Sequence, residues 1–170
     1  MQALSVPQPW AWAIARGHKT HLNHAANTGY RGPLAIYASS RAETRYVRNQ
    51  AIRDANANSA DPVAAIGGIV AVVTLEGVCT AGISGRPCNC GKWAFAGSYH
   101  WLVADPRPLR LPVLALGQPG LWELAPAVAA AVARMAGMPE LAGTGARAAR
   151  ILPGPAAGAA VGAPQRIRRA

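Results

Sequence analysis

Three groups of side chains in this sequence combine residue type and spacing in ways that can do chemistry. The first is the run His18-Lys-Thr-His-Leu-Asn-His24. A lysine just beyond a glycine that ends a helix can hold a phosphate or, with a lowered pKa, act as a base. Lys19 is therefore the one candidate catalytic residue. Thr20 and Asn23 offer hydrogen bonds to a base or sugar, and an Asn amide can read a base edge bidentately. Both types also bond their own backbone in turns, which is the structural alternative. His18, His21 and His24 recur every third residue, which suits a metal only on a helix. The run reads as extended, with 18 and 24 facing one way and 21 the other, so no three-histidine site is expected. His24 keeps a pH-dependent positive charge available.

Arginines form the second group. Arg31, in Tyr30-Arg-Gly-Pro33, carries a guanidinium fork suited to a planar phosphate or carboxyl group, with a structural ion pair as the rival. Arg41, Arg45 and Arg48 fall within about 60° of one another on a helical projection. That stripe is either a polyanion contact or a solvated face.

The third group is Cys79, Cys88, Cys90 and His100. Its composition would serve zinc, but structural zinc sites space their cysteines C-x2–4-C, whereas C-x-C strains the chelate. The expectation is reduced thiols in a loop, with no metal and no cofactor. Glu76 and Asp105 are too scattered to form a working carboxylate pair.

These groups need elements to hold them. Met1–Val6 reads as a strand leading into a helix over Pro9–Arg16, where an early proline is compatible with the first helical turn and Gly17 closes the last. Trp10, Ala13 and Ile14 share one face of that helix by the i, i+3, i+4 rule. Trp10 is assigned to the core, and Trp12, on the other face, is the freer tryptophan. Gln8 and Trp12 are then candidates to meet a base, by amide and by stacking. Trp93, Trp101 and Trp122 read as packing residues.

Lys19–Asn23 reads as a short polar strand, Leu34–Ala38 as a central one, and Ile66–Leu75 as the most strongly β segment. Ser40-Arg-Ala-Glu43 matches a capping box and predicts a helix to about Asn56. Residues 77–98 are irregular. Ser98–Val103, Leu111–Leu116 and Gly120–Leu124 read as further strands, the first ended by Asp105-Pro-Arg-Pro108. Ala125–Ala136 is a short helix of alanines. Many short strands and few helices predict an α+β, mainly β, small mixed barrel.

The domain expected from this pattern is 1–125, followed by an Ala-rich helix (126–138) and an Ala/Gly/Pro/Arg tail (139–170). The tail holds almost no large apolar side chain, so it is expected to be disordered. Net charge is +10, from 17 Lys and Arg against 7 Asp and Glu. A basic surface favours polyanions through counterion release, although an arginine- and alanine-rich tail also follows from coding bias. No stretch approaches the roughly 20 apolar residues that span a bilayer, and Pro7, Gln8 and Pro9 interrupt any signal-peptide core. A cytoplasmic protein with no membrane contact is expected.

Leu4-Ser-Val-Pro-Gln-Pro-Trp-Ala11, Gly17-His-Lys-Thr20 and Tyr30-Arg-Gly-Pro-Leu-Ala-Ile-Tyr-Ala-Ser39 together resemble the ASCH domain, a group within the PUA-like superfamily. Tyr99-His-Trp-Leu-Val-Ala-Asp-Pro-Arg-Pro-Leu109 and Gly120-Leu-Trp-Glu-Leu124 are similar to its closing strands. The resemblance spans essentially 1–125. It implies a PUA-like β-barrel with peripheral helices and a cleft that binds RNA or other single-stranded nucleic acid. One branch of the group resembles an amidohydrolase of N4-acylated cytidine. Where the group reads x-Glu-Asn-Arg after Lys-Thr, this chain has His21, Leu22, Asn23 and His24. The amidohydrolase branch has a threonine nucleophile where Leu22 stands, and leucine can neither attack a carbonyl nor carry a proton.

The expected function is thus RNA binding in a positively charged cleft open to water. Gln8, Trp12, Lys19, Thr20, Asn23, His24 and Arg31 line it, and Arg41, Arg45 and Arg48 assist from the surface. The alternatives are hydrolysis of a modified nucleoside or weak ribonuclease action with Lys19 as base, and a module for an unidentified protein partner.

Overall fold

A computed structural model describes residues 1–42 and 67–141. The elements are β1 (Gln2–Gln8), α1 (Trp10–Ala15), β2 (His21–His24), β3 (Gly32–Ala42), β4 (Gly68–Cys79), α2 (Ala81–Ser84), β5 (Tyr99–Leu114), β6 (Leu121–Glu123) and α3 (Pro126–Met135). A 3-10 turn follows at Pro139–Leu141. The six strands form one mixed sheet in the order β2-β5-β4-β3-β1-β6. Only β1 and β3 run parallel; the other neighbours are antiparallel. Among the described residues β2 and β6 remain edges, so the sheet is open where a closed barrel was expected.

Side-chain alternation decides how this sheet is covered. Successive residues of a strand point to opposite faces. On β3, Leu34, Ile36 and Ala38 join α1 in one buried cluster, with Leu4, Val6, Trp10, Ile14 and Trp101. Ala35 and Tyr37 face the other way, into a second cluster with Ile69, Val72, Trp122, Ala129 and Val132. The sheet is therefore sandwiched between α1 and α3. Helix α3 packs as the cover of the second face, through Ala129, Val132 and Ala133.

Two elements depart from the expected pattern. Asp105-Pro-Arg-Pro108 does not end a strand; β5 continues through it to Leu114. Thr74 pairs with Ala104 and Val72 with Arg107, so β5 carries one extra residue there. A bulge leaves a residue out of the ladder, which is where a proline without an N–H is tolerated. Asp105 sits in the bulge at a φ of 49°. Secondly, Ser40 and Arg41 lie in β3, not at the start of a helix. The helix predicted beyond them, with Arg45 and Arg48, and the tail from residue 142 lie outside the described residues.

Candidate functional site

Helix α1 ends as Gly17 takes a left-handed φ of 72°, a conformation that glycine adopts without a Cβ clash. The amides of Arg16 and Gly17 bond the Trp12 and Ile14 carbonyls, and the Lys19 amide returns to the carbonyl of Ala13. This reversal turns the Lys19 side chain inward, and the residue is only 3% exposed. Its Nζ donates to the Trp93 carbonyl at 3.1 Å and lies 2.9 Å from His21 Nε2. The ring centroids of Trp10 and Trp93 stand 5.2 and 5.9 Å from the same atom.

Two opposed effects act on that amine. Cation–π contact and hydrogen bonds favour the ammonium by about 1–2 kcal/mol each. Removal from water disfavours it by several. Burial wins: the Lys19 pKa falls to about 7, with the Cys90 sulfur pulling the other way. At neutral pH about half of the amine is unprotonated. Burial likewise holds His21 near a pKa of about 4. Its ring is then neutral at pH 7, and its buried Nδ1 has no hydrogen-bond partner.

A cavity of about 340 Å³ opens beside Lys19. Its walls come from β1 (Leu4 to Pro7), from Trp10, from Leu22 to Ala25, and from Phe95, Gly97 and Ser98. Trp10 and Phe95 supply aromatic edges, with their ring centroids 6.4 Å apart. Among the described residues, no carboxylate and no arginine lines it.

Of the expected site residues, the cavity gathers Lys19, Asn23 and His24. Asn23 is a brace: its amide donates to the Trp93 carbonyl at 2.8 Å and its Oδ1 accepts the Phe95 amide at 3.0 Å. Asn23→Ala is expected to cost about 1–3 kcal/mol and to loosen residues 93–95, measured by denaturant unfolding and amide exchange of that segment. His24 stacks on Trp101, with centroids 4.3 Å apart.

The remaining candidates are placed elsewhere. Gln8 is 5% exposed, and its Oε1 accepts the Trp12 amide at 3.0 Å, doing the work of a helix cap. Trp12, expected to be the freer indole, is also 5% exposed and lies against the His18 ring. Thr20 is exposed and away from the cavity, its carbonyl accepting the Val103 amide. Arg31 Nη1 donates to the Thr28 and Tyr30 carbonyls and braces its own turn, and the residue is not among those lining the cavity. Arg41 is on β3.

Sequence reasoning missed the wall formed by Phe95, Gly97 and Ser98. The available signal was an aromatic pair, Trp93 and Phe95, inside a glycine-rich loop. The cysteine and histidine group weighed in the sequence and set aside on its spacing is brought together beside the cavity loop. Cys79 ends β4, His100 lies directly opposite it on β5, and the loop between them returns Cys88 and Cys90 to the same place. The three Sγ atoms and one imidazole nitrogen all lie within 4.8 Å of one another. All three cysteines are free. Cys90 is pushed up to about 12 by burial and by its hydrogen bonds with Cys79 and Cys88, while a backbone hydrogen bond from Cys90 pulls Cys88 down.

No protein-family model matches the chain, and no curated protein does. Among solved structures, it is similar to ASCH from Zymomonas mobilis, at 16% identity and a TM-score of 0.44, over 75% of this chain and 89% of that one. A mutant of that protein matches at 16% identity and a TM-score of 0.44, covering 73% of this chain and 87% of that one. Another matches at 17% and 0.42, covering 73% and 89%. All three carry the name of the group that the sequence motifs resemble.

Proposed function

We propose that the protein binds RNA by taking one unpaired base, or a free nucleoside, into the cavity beside Lys19. One observation carries this reading: aromatic Trp10 and Phe95 border a space of about 340 Å³ whose wall holds a buried amine and, among the described residues, no carboxylate. That volume is at the small end of the range in which proteins hold small organic ligands. Aromatic contact with an unstacked base is sequence-tolerant and worth about 1–3 kcal/mol. Lys19 adds a donor for a base carbonyl or a sugar oxygen. The motifs resembling the ASCH group support the same reading.

The cavity holds a base rather than a length of backbone, since Arg31, the arginine expected to line the cleft, is not among the described residues that do. Its own share of the salt dependence is at most that of a single cation, a slope no steeper than about −0.7 in log K against log salt. A steeper slope reports surface arginines, with Arg41, Arg45 and Arg48 as the candidates. The test is titration of the tryptophan fluorescence with nucleosides, single-stranded RNA and duplex RNA. Single strands are expected to bind best, and Lys19→Ala and Phe95→Ala each to weaken binding about tenfold, or about 1.4 kcal/mol. No binding at low salt, or a preference for duplex, overturns the proposal.

One observation favours a second reading. An amine with a pKa of about 7 is poised to act as a general base at neutral pH. With Leu22 in place of a nucleophile, Lys19 would activate water against an N4-acylated cytidine or serve in weak ribonuclease action. Turnover of N4-acetylcytidine that rises with pH through about 7 and disappears in Lys19→Ala replaces the first reading with this one.

A further inference from the structure

We propose that Cys79, Cys88, Cys90 and His100 bind one structural zinc ion, which pins the loop carrying Trp93, Phe95, Gly97 and Ser98 over the cavity. A tetrahedral zinc site has Zn–S distances of about 2.3 Å and Zn–N of about 2.0–2.1 Å, which sets ligand–ligand edges near 3.5–3.8 Å. The four donor atoms here already lie within 4.8 Å of one another. Cys88 Sγ and His100 Nδ1 are 3.5 Å apart, one such edge.

The histidine is oriented for the task. His100 is 1% exposed, and its Nε2 lies 2.9 Å from the Phe95 carbonyl. Donation there fixes the proton on Nε2 and leaves the Nδ1 lone pair aimed at the sulfurs. This is the outer hydrogen bond that metal-bound imidazoles use to set their tautomer and orientation. Phe95 belongs to the very loop the metal would hold, so coordination and cavity wall share one hydrogen bond.

The spacing objection dissolves in three dimensions. A C-x-C pair alone strains a chelate, but here it supplies only half the ligands. Cys79 and His100 supply the other half from adjacent strands in direct register. Four protein donors leave no open position, which is the mark of a structural site rather than a catalytic one. Soft thiolates with one imidazole select zinc over harder cations such as magnesium or calcium.

Asn23 and Lys19 brace the loop at Trp93 and Phe95, and a metal would fasten its other end at Cys88 and Cys90. Residues 85–98 hold neither helix nor strand, and most are exposed. Trp93 is their one fully buried apolar side chain. Small irregular segments of this kind are commonly stapled by a metal or a disulfide. An odd number of free cysteines in one cluster fits the metal.

The experiment is metal analysis of the full chain, purified under reducing conditions without chelator, followed by replacement with cobalt. One zinc per chain is expected, with a tetrahedral cobalt spectrum and thiolate-to-cobalt charge transfer. Cys88→Ser and Cys90→Ser, both in the loop, are each expected to lose one thiolate's share of that band. Chelation is expected to lower the unfolding temperature and to expose three thiols to a thiol reagent. Three results overturn the proposal: a folded protein that takes up neither zinc nor cobalt, a cobalt spectrum without charge transfer, or a disulfide within the cluster. Stoichiometric iron or copper in place of zinc overturns the choice of metal.

Discussion

Lys19→Met is expected to be more stable than the parent protein at pH 6, while losing the cavity's donor. The wild-type ammonium at that pH is held out of water with no carboxylate among the described residues to compensate it. A pKa displaced from 10.5 to about 7 corresponds to about 3–5 kcal/mol of native-state penalty. Methionine removes that penalty and fills similar space. It forfeits the contacts to His21 and to the Trp93 carbonyl, worth about 1–3 kcal/mol. The net gain is about 1–2 kcal/mol, a rise of several degrees in Tm.

The sign changes with pH. Because the folded pKa lies below the unfolded value, the unfolded chain binds the extra proton anywhere between about 7 and 10.5. Wild-type stability therefore climbs through that window, and below it the penalty is full and constant. The advantage of Lys19→Met shrinks as pH rises and reverses near pH 10, where only the lost hydrogen bonds remain. Denaturant unfolding of both proteins at pH 6 and pH 10 measures this. Parallel pH dependences, or a wild type more stable at pH 6, contradict a buried, uncompensated amine.

Gly82→Ala is expected to destabilise the protein by about 3 kcal/mol and to abolish metal retention. Helix propensity alone points the other way, since Gly82 lies in α2 and alanine is preferred there by about 1 kcal/mol. Space decides the outcome. An added Cβ would lie 2.4 Å from the Ser98 carbonyl oxygen and 2.8 Å from two atoms of the His100 ring. The first is backbone and the second is a buried ring already tied to Phe95, so neither yields cheaply. Gly85→Ala is the control: its φ of 68° is strained for alanine, yet nothing lies within 4 Å of the new Cβ. It is expected to cost about 1 kcal/mol and to keep its metal. Equal effects of the two substitutions would remove the steric explanation.

Much of the first forty residues was legible because its signals are local. The prolines, Gly17 and the apolar spacing of α1 each act within a few residues, and they bring Lys19 to the wall of the cavity. What surrounds Lys19 was not legible. Its carbonyl partner, Trp93, is 74 residues away, and that distant loop helps bury the amine whose pKa falls to about 7. Arg31 shows the converse: its type suits an anion clamp, but nearby carbonyls claim it. Proline punctuation misplaced the end of β5, because a bulge and a strand end present the same residues. The cysteine group was legible as a composition but not as a place. Linear spacing exposes only the C-x-C pair, whereas the other two donors meet through the β4–β5 register.

The strand β1 has neighbours on both sides: β3 in parallel, and β6, where Gln2 faces Glu123 and Leu4 faces Leu121. During synthesis β1 therefore leaves the ribosome well before its second partner exists. Until residues 121–123 emerge, its free edge and apolar faces stay open to chaperones or to a neighbouring nascent chain. Pairings this remote in sequence also slow folding, because a long loop must close before any contact rewards it.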